Sequence, residues 1–231
     1  IDEGEEQFTI TATIPNGSTD DGTGTIVDDD TAGILISDAN ETEGTNLVFD
    51  VNLTTASATD TIVTITTTTG TAGADDYTET STTVTIPAGD LGTTVIVPTA
   101  DDTTREDEEQ FTITATLPDG TSAEGTGTIV DNDPLTVTIG DANETEATDL
   151  VFDVNISNPS DTDTVVTIIT TTGTAGAADY TETDTTVTIP AGDTGTTVTV
   201  PSTDDSIDEG EEQFTITATI PNGSTDDGTG T

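Results

Sequence analysis

Apolar and polar side chains alternate with a period of two along many short stretches of the chain. Residues 47–53 read LVFDVNL and residues 111–117 read FTITATL, so every second side chain is apolar. Because successive side chains of a β-strand point to opposite faces, this alternation predicts strands with one buried face. Further runs of this kind occupy residues 34–37, 61–67, 82–87, 93–99 and 126–130.

Turn-forming residues separate these runs. Examples are Pro87-Ala-Gly-Asp90 and Pro15-Asn-Gly17, which contain the residues that tight turns favour. No pattern predicts a helix of useful length. About seven short strands within about 100 residues predict an all-β fold of tandem immunoglobulin-like antiparallel β-sandwiches.

The whole pattern repeats along the chain. The segment EEQFTITAT places Phe8, Phe111 and Phe214 at intervals of 103 residues, and the match runs without gaps. A shift of 206 residues makes residues 1–25 identical to residues 207–231. A fixed period indicates a tandem array of domains, and the higher-order repeat contains two of them.

The period divides the chain into three parts. We predict that residues 1–31 are the C-terminal fragment of one repeat, residues 32–134 a complete repeat, and residues 135–231 a repeat lacking its last strand. Two explanations stay open at this point. Either the chain is part of a longer array, or residues 1–30 of one molecule donate the missing strand to a neighbouring molecule.

Charge narrows the range of partners. The chain has one Lys or Arg, Arg105, against 47 Asp and Glu, and its formal net charge is −46. Nucleic acid and anionic lipid require basic surfaces, so both are excluded as partners. Hydrophobic residues make up only 29% of the chain, so little core is available to offset charge repulsion. We therefore expect the chain to bind cations.

Composition also excludes several classes of active site. The chain contains no Cys and no His, which removes Ser-His-Asp and Cys-His catalysis, imidazole metal ligands and iron–sulfur clusters. Paired carboxylates also occur in glycosidases, but no insertion interrupts the period to form a cleft. We predict that the protein is not an enzyme. No apolar run approaches the length of a membrane span, so we expect no direct membrane insertion within these residues.

The acidic residues are clustered at strand ends and turns. Loops at one end of a β-sandwich lie close together, so carboxylates distant in sequence converge there. Like charges about 4 Å apart repel by roughly 4 kcal/mol at an effective dielectric constant near 20. Ca²⁺ reverses this sign because it binds about 6–8 oxygens in flexible geometry, whereas Mg²⁺ requires a tighter octahedron. The clusters of the complete repeat are Glu41 with Glu43, Asp75 with Asp76, Asp101 with Asp102, Glu106 to Glu109, and Asp131 with Asp133.

These residues resemble the Calx-beta domain family. The resemblance runs through the complete repeat in the order NETEGTNLVFDV, GTAGADDYTETSTTVTIPAGD, VIVPTADD, REDEEQFTITATLPDG and GTIVDND. The order and spacing of GTA, DY, the PAGD turn and the acidic EQF segment make the resemblance specific. It implies a β-sandwich that binds Ca²⁺.

The resemblance also implies calcium ligands at the positions that match the family's motifs. Asn132 takes the place of an Asp in the closing acidic triplet, and Ala147 follows Glu146 where the motif prefers Gly. In the alternative interpretation, the carboxylates form only a solvated, solubilising surface. The implied ligands are Glu43, Asp76, Asp101, Asp102, Glu106, Glu109, Asp131 and Asp133; Glu146, Asp179, Asp204, Asp205, Glu209 and Glu212; and Glu3, Glu6, Asp28, Asp29 and Asp30.

We expect a calcium-binding structural array that forms a rigid extracellular rod on a prokaryotic cell surface. Such a rod is the extender of a surface adhesin or the subunit of an extracellular fibre. Successive repeats join with almost no linker, as in Val130-Asp-Asn-Asp-Pro-Leu135, so Ca²⁺ bound there would stiffen the junction. The expected partners are calcium ions and neighbouring copies of the repeat, in the same chain or in adjacent subunits. The alternative role is a regulatory calcium sensor.

Overall fold

The computed structural model describes residues 2–206 and 210–231. Every regular element in this part of the chain is a β-strand, which confirms the all-β prediction. The described residues contain no helix that could cross a membrane. The strands are β1 Glu6–Thr13, β2 Thr19–Ile26, β3 Ile34–Ile36, β4 Ala39–Thr42, β5 Leu47–Leu53, β6 Thr61–Thr69, β7 Ser81–Ile86, β8 Gly92–Val97, β9 Glu109–Thr116, β10 Ser122–Val130, β11 Val137–Ile139, β12 Leu150–Ile156, β13 Thr164–Thr172, β14 Asp184–Ile189, β15 Gly195–Val200, β16 Phe214–Thr219 and β17 Thr225–Gly230.

The strands are divided between two compact units. Unit 1 contains the residues up to Asp101 together with Glu108–Val130. Unit 2 contains Asp102–Asp107 together with Asp131–Thr231. The repeat boundaries at 1–31, 32–134 and 135–231 follow from the sequence period and stay a prediction.

Unit 1 contains a five-stranded sheet and a three-stranded sheet around one hydrophobic core. The strand orders are β4-β10-β9-β6-β7 and β3-β5-β8, and all neighbours are antiparallel except β4 and β10. Leu47, Phe49 and Val51 of β5 are buried, whereas Val48 between them is exposed. The rings of Phe49 and Phe111 meet edge to face with centroids 6.1 Å apart. The alternation of apolar and polar residues therefore predicts correctly which face of β5 is buried.

Strand β4 is the element that the alternation does not predict. Its residues, ANET, include one apolar side chain, and three of the four are exposed. It forms because its backbone pairs in parallel with β10, from Gly127 opposite Ala39 to Val130 opposite Thr42. With β4, the sandwich of unit 1 has eight strands where the pattern predicts about seven.

Unit 2 has the same architecture and its own core. Its sheets have the orders β11-β12-β15 and β14-β13-β16-β17. Phe152 and Phe214 meet edge to face with centroids 6.0 Å apart, and Tyr180 stacks on Phe214 with centroids 4.1 Å apart. A single parallel bridge between Ala142 and Gly230 stands where unit 1 has the β4–β10 ladder.

The segments that precede β1 and β9 make equivalent backbone contacts. In unit 1, the N–H of Asp2 donates to the carbonyl of Ala56, and the N–H of Ala58 donates to the carbonyl of Asp2, both at 3.0 Å. Arg105 makes the same pair of bonds in unit 2, with the loop 159–161. The two contacts are 103 residues apart, so the sequence period extends to this feature.

Candidate metal centres

Asp76 of unit 1 is held in place by its neighbours in the chain and by the core. The N–H of Gly73 donates to Oδ2 of Asp76 at 2.6 Å, and the N–H of Ala100 donates to its carbonyl oxygen at 2.7 Å. The next residue, Tyr77, is buried, and its ring stacks on Phe111 with centroids 4.1 Å apart. The aromatic stack therefore fixes the point at which Asp76 leaves the core.

Glu109 approaches Asp76 from the start of β9. It lies two residues before Phe111 in the strand, so both side chains point to the same face. A carboxylate oxygen of Glu109 and one of Asp76 lie within 4.8 Å of each other, and both residues are half-buried. Two carboxylates at this separation repel unless a proton or a cation lies between them.

Glu43 is the buried acidic residue of unit 1 within the described part of the chain, with 8% exposure. Its N–H donates to the carbonyl of Val130 at 3.0 Å. Gly44 follows with a φ of 73°, and its N–H donates to the carbonyl of Ala100 at 2.8 Å. A Cβ at position 44 would lie 2.9 Å from the Cβ of Asp101. Glycine therefore permits both the turn and the close approach of the Asp101 side chain.

Asp133 and Asp102 form a second pair of carboxylates, in unit 2, with oxygens within 4.8 Å of each other. Oδ1 of Asp133 accepts a hydrogen bond from the side-chain amide of Asn158 at 3.3 Å, and its backbone N–H donates to Asp131 at 3.1 Å. Oδ2 of Asp133 is buried and has no hydrogen-bond partner among the described residues. A buried carboxylate oxygen without a donor is an atom that a bound ion can satisfy.

Unit 2 contains a cavity of about 170 Å³ beside its core, and predicted ligands line it. Glu146, Asp179 and Glu212 are the predicted ligands, and Glu144 and Glu211 also line the cavity although the motif does not mark them. Glu144 lies two residues before the predicted ligand Glu146, and residues two apart share a face of extended backbone. This spacing is the sequence signal that identifies Glu144 as a second acidic residue on the same face. The core side chains of the cavity are Leu150, Ala175, Tyr180 and Phe214.

Asp179 and Glu212 reproduce in unit 2 the pair formed by Asp76 and Glu109. The N–H of Gly176 donates to Oδ2 of Asp179 at 2.7 Å. Desolvation, followed by the charge of Asp179 and a side-chain hydrogen bond with it, raises the pKa of Glu212 above its ordinary value. Without a cation the two carboxylates therefore repel each other, and a divalent cation in the cavity would offset that repulsion.

The turn after the first predicted ligand differs between the units. Ala147 stands where unit 1 has Gly44, and its φ of 66° makes it the non-glycine residue with positive φ in the described chain. This region costs an L-residue about 1–2 kcal/mol. The N–H of Gly44 bonds to Ala100, whereas no backbone bond joins Ala147 to Thr203 among the described residues. Unit 2 thus keeps the turn of unit 1 in a strained form.

Backbone N–H groups are the observed hydrogen-bond donors to Asp28, which follows the hairpin formed by β1 and β2. The N–H of Glu3 donates to Oδ2 of Asp28 at 2.7 Å, and the N–H of Asp30 donates to Oδ1 at 3.2 Å. These backbone donors, that of Glu3 first, lower the pKa of Asp28 below its ordinary value. Glu6 and Asp29 are exposed. The backbone N–H of Glu3 therefore lies beside the carboxylate of Asp28.

Other predicted ligands are not brought into the cavity of unit 2. Asp204 and Asp205 are exposed, and neither belongs to the described lining. Glu106 is half-buried and lies in the segment of unit 2 that precedes β9. Glu209 lies outside the described residues. The ligand set implied by the resemblance therefore stays a prediction, with Glu146, Asp179 and Glu212 as its convergent part in unit 2.

The donor atoms suit a hard divalent cation. The converging side chains offer carboxylate oxygens, which Ca²⁺ binds in variable number and geometry. Soft metals favour thiolate and imidazole ligands, and the chain has neither Cys nor His. The buried oxygen of Asp133 and the raised pKa of Glu212 both fit a site where a cation compensates the carboxylates.

The sequence matches the family model of the Calx-beta domain twice, over residues 39–143 and 131–230. The chain belongs to the Calx-beta domain family. Homologues in this family bind Ca²⁺, and the acidic clusters of this chain could hold such an ion. A search of curated proteins finds no match to this Calx-beta chain.

Solved structures of Calx domains are similar to this Calx-beta chain. The calcium binding domain CBD12 of CALX1.1 shares 17% identity over 80% of each chain, with a TM-score of 0.38. The apo-form Calx CBD1 domain shares 18% identity over 45% of this chain and 100% of its own, with a TM-score of 0.40. The family assignment rests on the sequence match.

Proposed function

We propose that this Calx-beta chain is a calcium-binding structural array. The observation that supports this most strongly is a repeated pair of carboxylates, Asp76 with Glu109 in unit 1 and Asp179 with Glu212 in unit 2. In each pair the Asp accepts a backbone hydrogen bond from a glycine and precedes a tyrosine stacked in the core. A carboxylate geometry that recurs on two cores is not expected of a merely solvated surface.

The residues around each pair hold the oxygens in place before a cation binds. In unit 2 the glycine N–H binds one oxygen of the Asp, and the Glu lies in the segment two residues before Phe214, the first residue of β16. In unit 2, the core side chains Leu150 and Phe214 border the cavity and limit hydration of the carboxylates. Bound Ca²⁺ supplies the positive charge that offsets their repulsion. Because such binding favours the folded state alone, it stabilises the unit.

The finer proposal is that Ca²⁺ stiffens successive repeats into an extracellular rod on a prokaryotic cell surface. The closing triplet Asp131-Asn132-Asp133 follows β10 without a linker, and it contributes a buried carboxylate oxygen. Backbone bonds of Asp2 and Arg105 further attach the segment before a hairpin to a loop of the repeat that follows in sequence. Such a rod serves as the extender of a surface adhesin or as the subunit of an extracellular fibre. No catalytic step belongs to this role.

Thermal unfolding by circular dichroism tests calcium binding in the complete chain. We expect Ca²⁺ to raise the unfolding midpoint relative to EDTA, and Mg²⁺ to raise it less. Asp179→Asn should reduce the calcium-dependent shift. Asp193→Asn, in an exposed turn outside the described cavity lining, is the matched control and should leave the shift unchanged. Coincident curves in EDTA, Mg²⁺ and Ca²⁺ would show that the acids are only a solvated surface.

A regulatory calcium sensor is the second candidate role. The raised pKa of Glu212 favours it, since a site that is repulsive without cations can change locally when Ca²⁺ leaves. Small-angle scattering separates the two roles. A rod stiffened by Ca²⁺ should lengthen and become less flexible on calcium addition, whereas an unchanged length would contradict the rod and leave the sensor.

A further inference from the structure

Each unit has a polar groove at the same place in its larger sheet. The groove of unit 1 has a volume of about 450 Å³ and lies across β4, β10 and the start of β9. The groove of unit 2 has a volume of about 360 Å³, and every residue that lines it is 103 positions after its counterpart in unit 1. Both volumes fall within the range of about 300–1,000 Å³ that is usual for small-molecule sites. The lining of the unit 1 groove is Asp38, Ala39, Asn40, Gln110, Thr126 and Thr128.

The strand register brings the side chains of the unit 1 groove together. Thr128 of β10 lies opposite Asn40 of β4 on one side and opposite Gln110 of β9 on the other. Thr128 is only 7% exposed, and its hydroxyl accepts a hydrogen bond from the side-chain amide of Gln110 at 3.2 Å. The groove therefore has a buried threonine at its base, between two carboxamides.

A carboxylate held by the backbone completes each groove. The N–H of Thr126 donates to Oδ1 of Asp38 at 2.8 Å, and the equivalent bond of Asp141 in unit 2 measures 2.7 Å. The side chains of Asn40 and Asn143 are exposed, and they make no hydrogen bond with another described residue. Each groove thus offers a fixed carboxylate, which accepts hydrogen bonds, and a free carboxamide, which both donates and accepts them.

The sheet beside the groove carries uncharged hydroxyl side chains. Thr126 lies opposite Thr112, which in turn lies opposite Thr68. The residues 103 positions later form the same row in unit 2. Because neighbouring strands are about 4.7–4.9 Å apart, each row presents hydroxyl and methyl groups at regular spacing. These neutral rows occur in a chain with a formal net charge of −46.

Charge indicates which ligands these grooves can take. An anionic polymer is repelled by the chain as a whole, and the basic residue Arg105 does not belong to the described lining of either groove. A calcium ion would find one carboxylate in each groove, whereas Ca²⁺ takes about 6–8 oxygens. The ligand that fits is therefore uncharged, and it both donates and accepts hydrogen bonds.

We propose that the two grooves bind an uncharged polysaccharide. A sugar hydroxyl donates to the carboxylate of Asp38 and accepts from the carboxamide of Asn40 or Gln110. The threonine methyl groups beside the groove contact the C–H groups of the sugar ring. A polymer of equivalent sugar units suits a chain that repeats one groove on two units, because each further groove adds to the total affinity.

Binding to immobilised polysaccharides tests the proposal on the complete chain, in EDTA and in Ca²⁺. We expect the chain to bind at least one of the neutral polymers amylose, dextran, mannan and cellulose, and to bind neither alginate nor heparin, which are anionic. Binding to none of the neutral polymers in either condition would overturn the proposal, as would equal binding to the anionic ones. Inhibition of ice recrystallisation without polysaccharide binding would assign the threonine rows to ice and would also overturn it.

A matched set of substitutions shows whether the grooves carry the binding. Gln110→Ala combined with Gln213→Ala removes one carboxamide from each groove and should weaken binding to the polysaccharide at least about tenfold. Asn155→Ala, an exposed carboxamide on the other sheet of unit 2, is the control and should leave binding unchanged. Equal affinity of the double variant and the unaltered chain would refute the assignment to these grooves.

The same variants separate this proposal from calcium binding, which it goes beyond. Gln213 does not belong to the described lining of the cavity that holds Glu146, and the double variant leaves the carboxylate pairs intact. Its calcium-dependent rise in the unfolding midpoint should therefore match that of the unaltered chain. Loss of that rise together with loss of polysaccharide binding would show a general defect in folding and would contradict a separate role for the grooves.

Discussion

The turn at Ala147 offers the sharpest test of the physical reasoning. Ala147 has a φ of 66°, and the corresponding residue of unit 1 is Gly44, with a φ of 73°. The perturbation is Ala147→Gly, which removes a Cβ from a left-handed backbone position without deleting a buried contact. We expect unit 2 to become more stable.

The magnitude follows from two opposing contributions. Relief of the left-handed conformation contributes about 1–2 kcal/mol in favour of glycine. Glycine also makes the unfolded chain more flexible, which costs about 0.4–1 kcal/mol. The net stabilisation of unit 2 should therefore be roughly 0.5–1 kcal/mol.

The reciprocal change, Gly44→Ala in unit 1, should destabilise by more than Ala147→Gly stabilises. The new Cβ would meet the Cβ of Asp101 at 2.9 Å, a distance that requires the Asp101 side chain or its backbone to move. The substitution thus adds a steric contact to the conformational cost of about 1 kcal/mol or more.

Tyrosine fluorescence during urea unfolding measures each unit separately. The chain has two tyrosines and no tryptophan, with Tyr77 in the core of unit 1 and Tyr180 in the core of unit 2. In a Tyr77→Phe background, Tyr180 alone reports on unit 2. An unchanged or lower urea midpoint for Ala147→Gly would refute the argument that this turn is strained. A neutral Gly44→Ala would refute the steric part.

Four further outcomes follow from the structure. Without Ca²⁺, Glu212→Gln should stabilise unit 2 at neutral pH by removing the repulsion with its Asp partner, and it should reduce the calcium-dependent shift in melting temperature. The pKa of Glu212 in the folded state is raised above its ordinary value of 4.5. The stability that Glu212 contributes is therefore fully present below pH 4.5 and is lost as the pH rises through the folded pKa. Unfolding in EDTA across a range of pH should show this loss, and Glu212→Gln, which cannot titrate, is the control. The pKa of Asp28 is lowered from its ordinary value of 3.8. The stability that Asp28 contributes is therefore present above pH 3.8 and is lost as the pH falls through the folded pKa. Phe214→Ala should destabilise unit 2 by about 3–5 kcal/mol in urea unfolding, whereas Phe8→Ala in the exposed hairpin should leave both unit midpoints nearly unchanged; equal effects would contradict the burial difference.

Local sequence carries much of the fold because strand periodicity is a local property. The alternation LVFDVNL assigns β5 and its inward face, and Phe49 lies fully buried as expected. The alternating pattern does not predict strand β4, because its residues ANET are held by backbone hydrogen bonds to β10 and not by the burial of an apolar face. Sequence patterns detect side-chain burial, and they do not detect a strand that only its ladder stabilises.

The candidate site is predictable in part. Residue type and motif spacing identify Asp179 and Glu212, which the structure places together. They also imply Asp204, which the structure leaves exposed and outside the described cavity lining. Glu211 lines the cavity without a motif signal, because its position depends on how the segment before β16 meets the core.

The clearest division between sequence and tertiary structure lies in the two identical hairpins. The letters EEQFTITAT and the turn that follows determine a two-stranded hairpin with the same register at both positions. They do not determine burial, since Ile10 is 62% exposed and Ile216 is fully buried. The physical reason is that a strand's apolar face is a local property, whereas the removal of that face from water requires a second sheet contributed by distant residues.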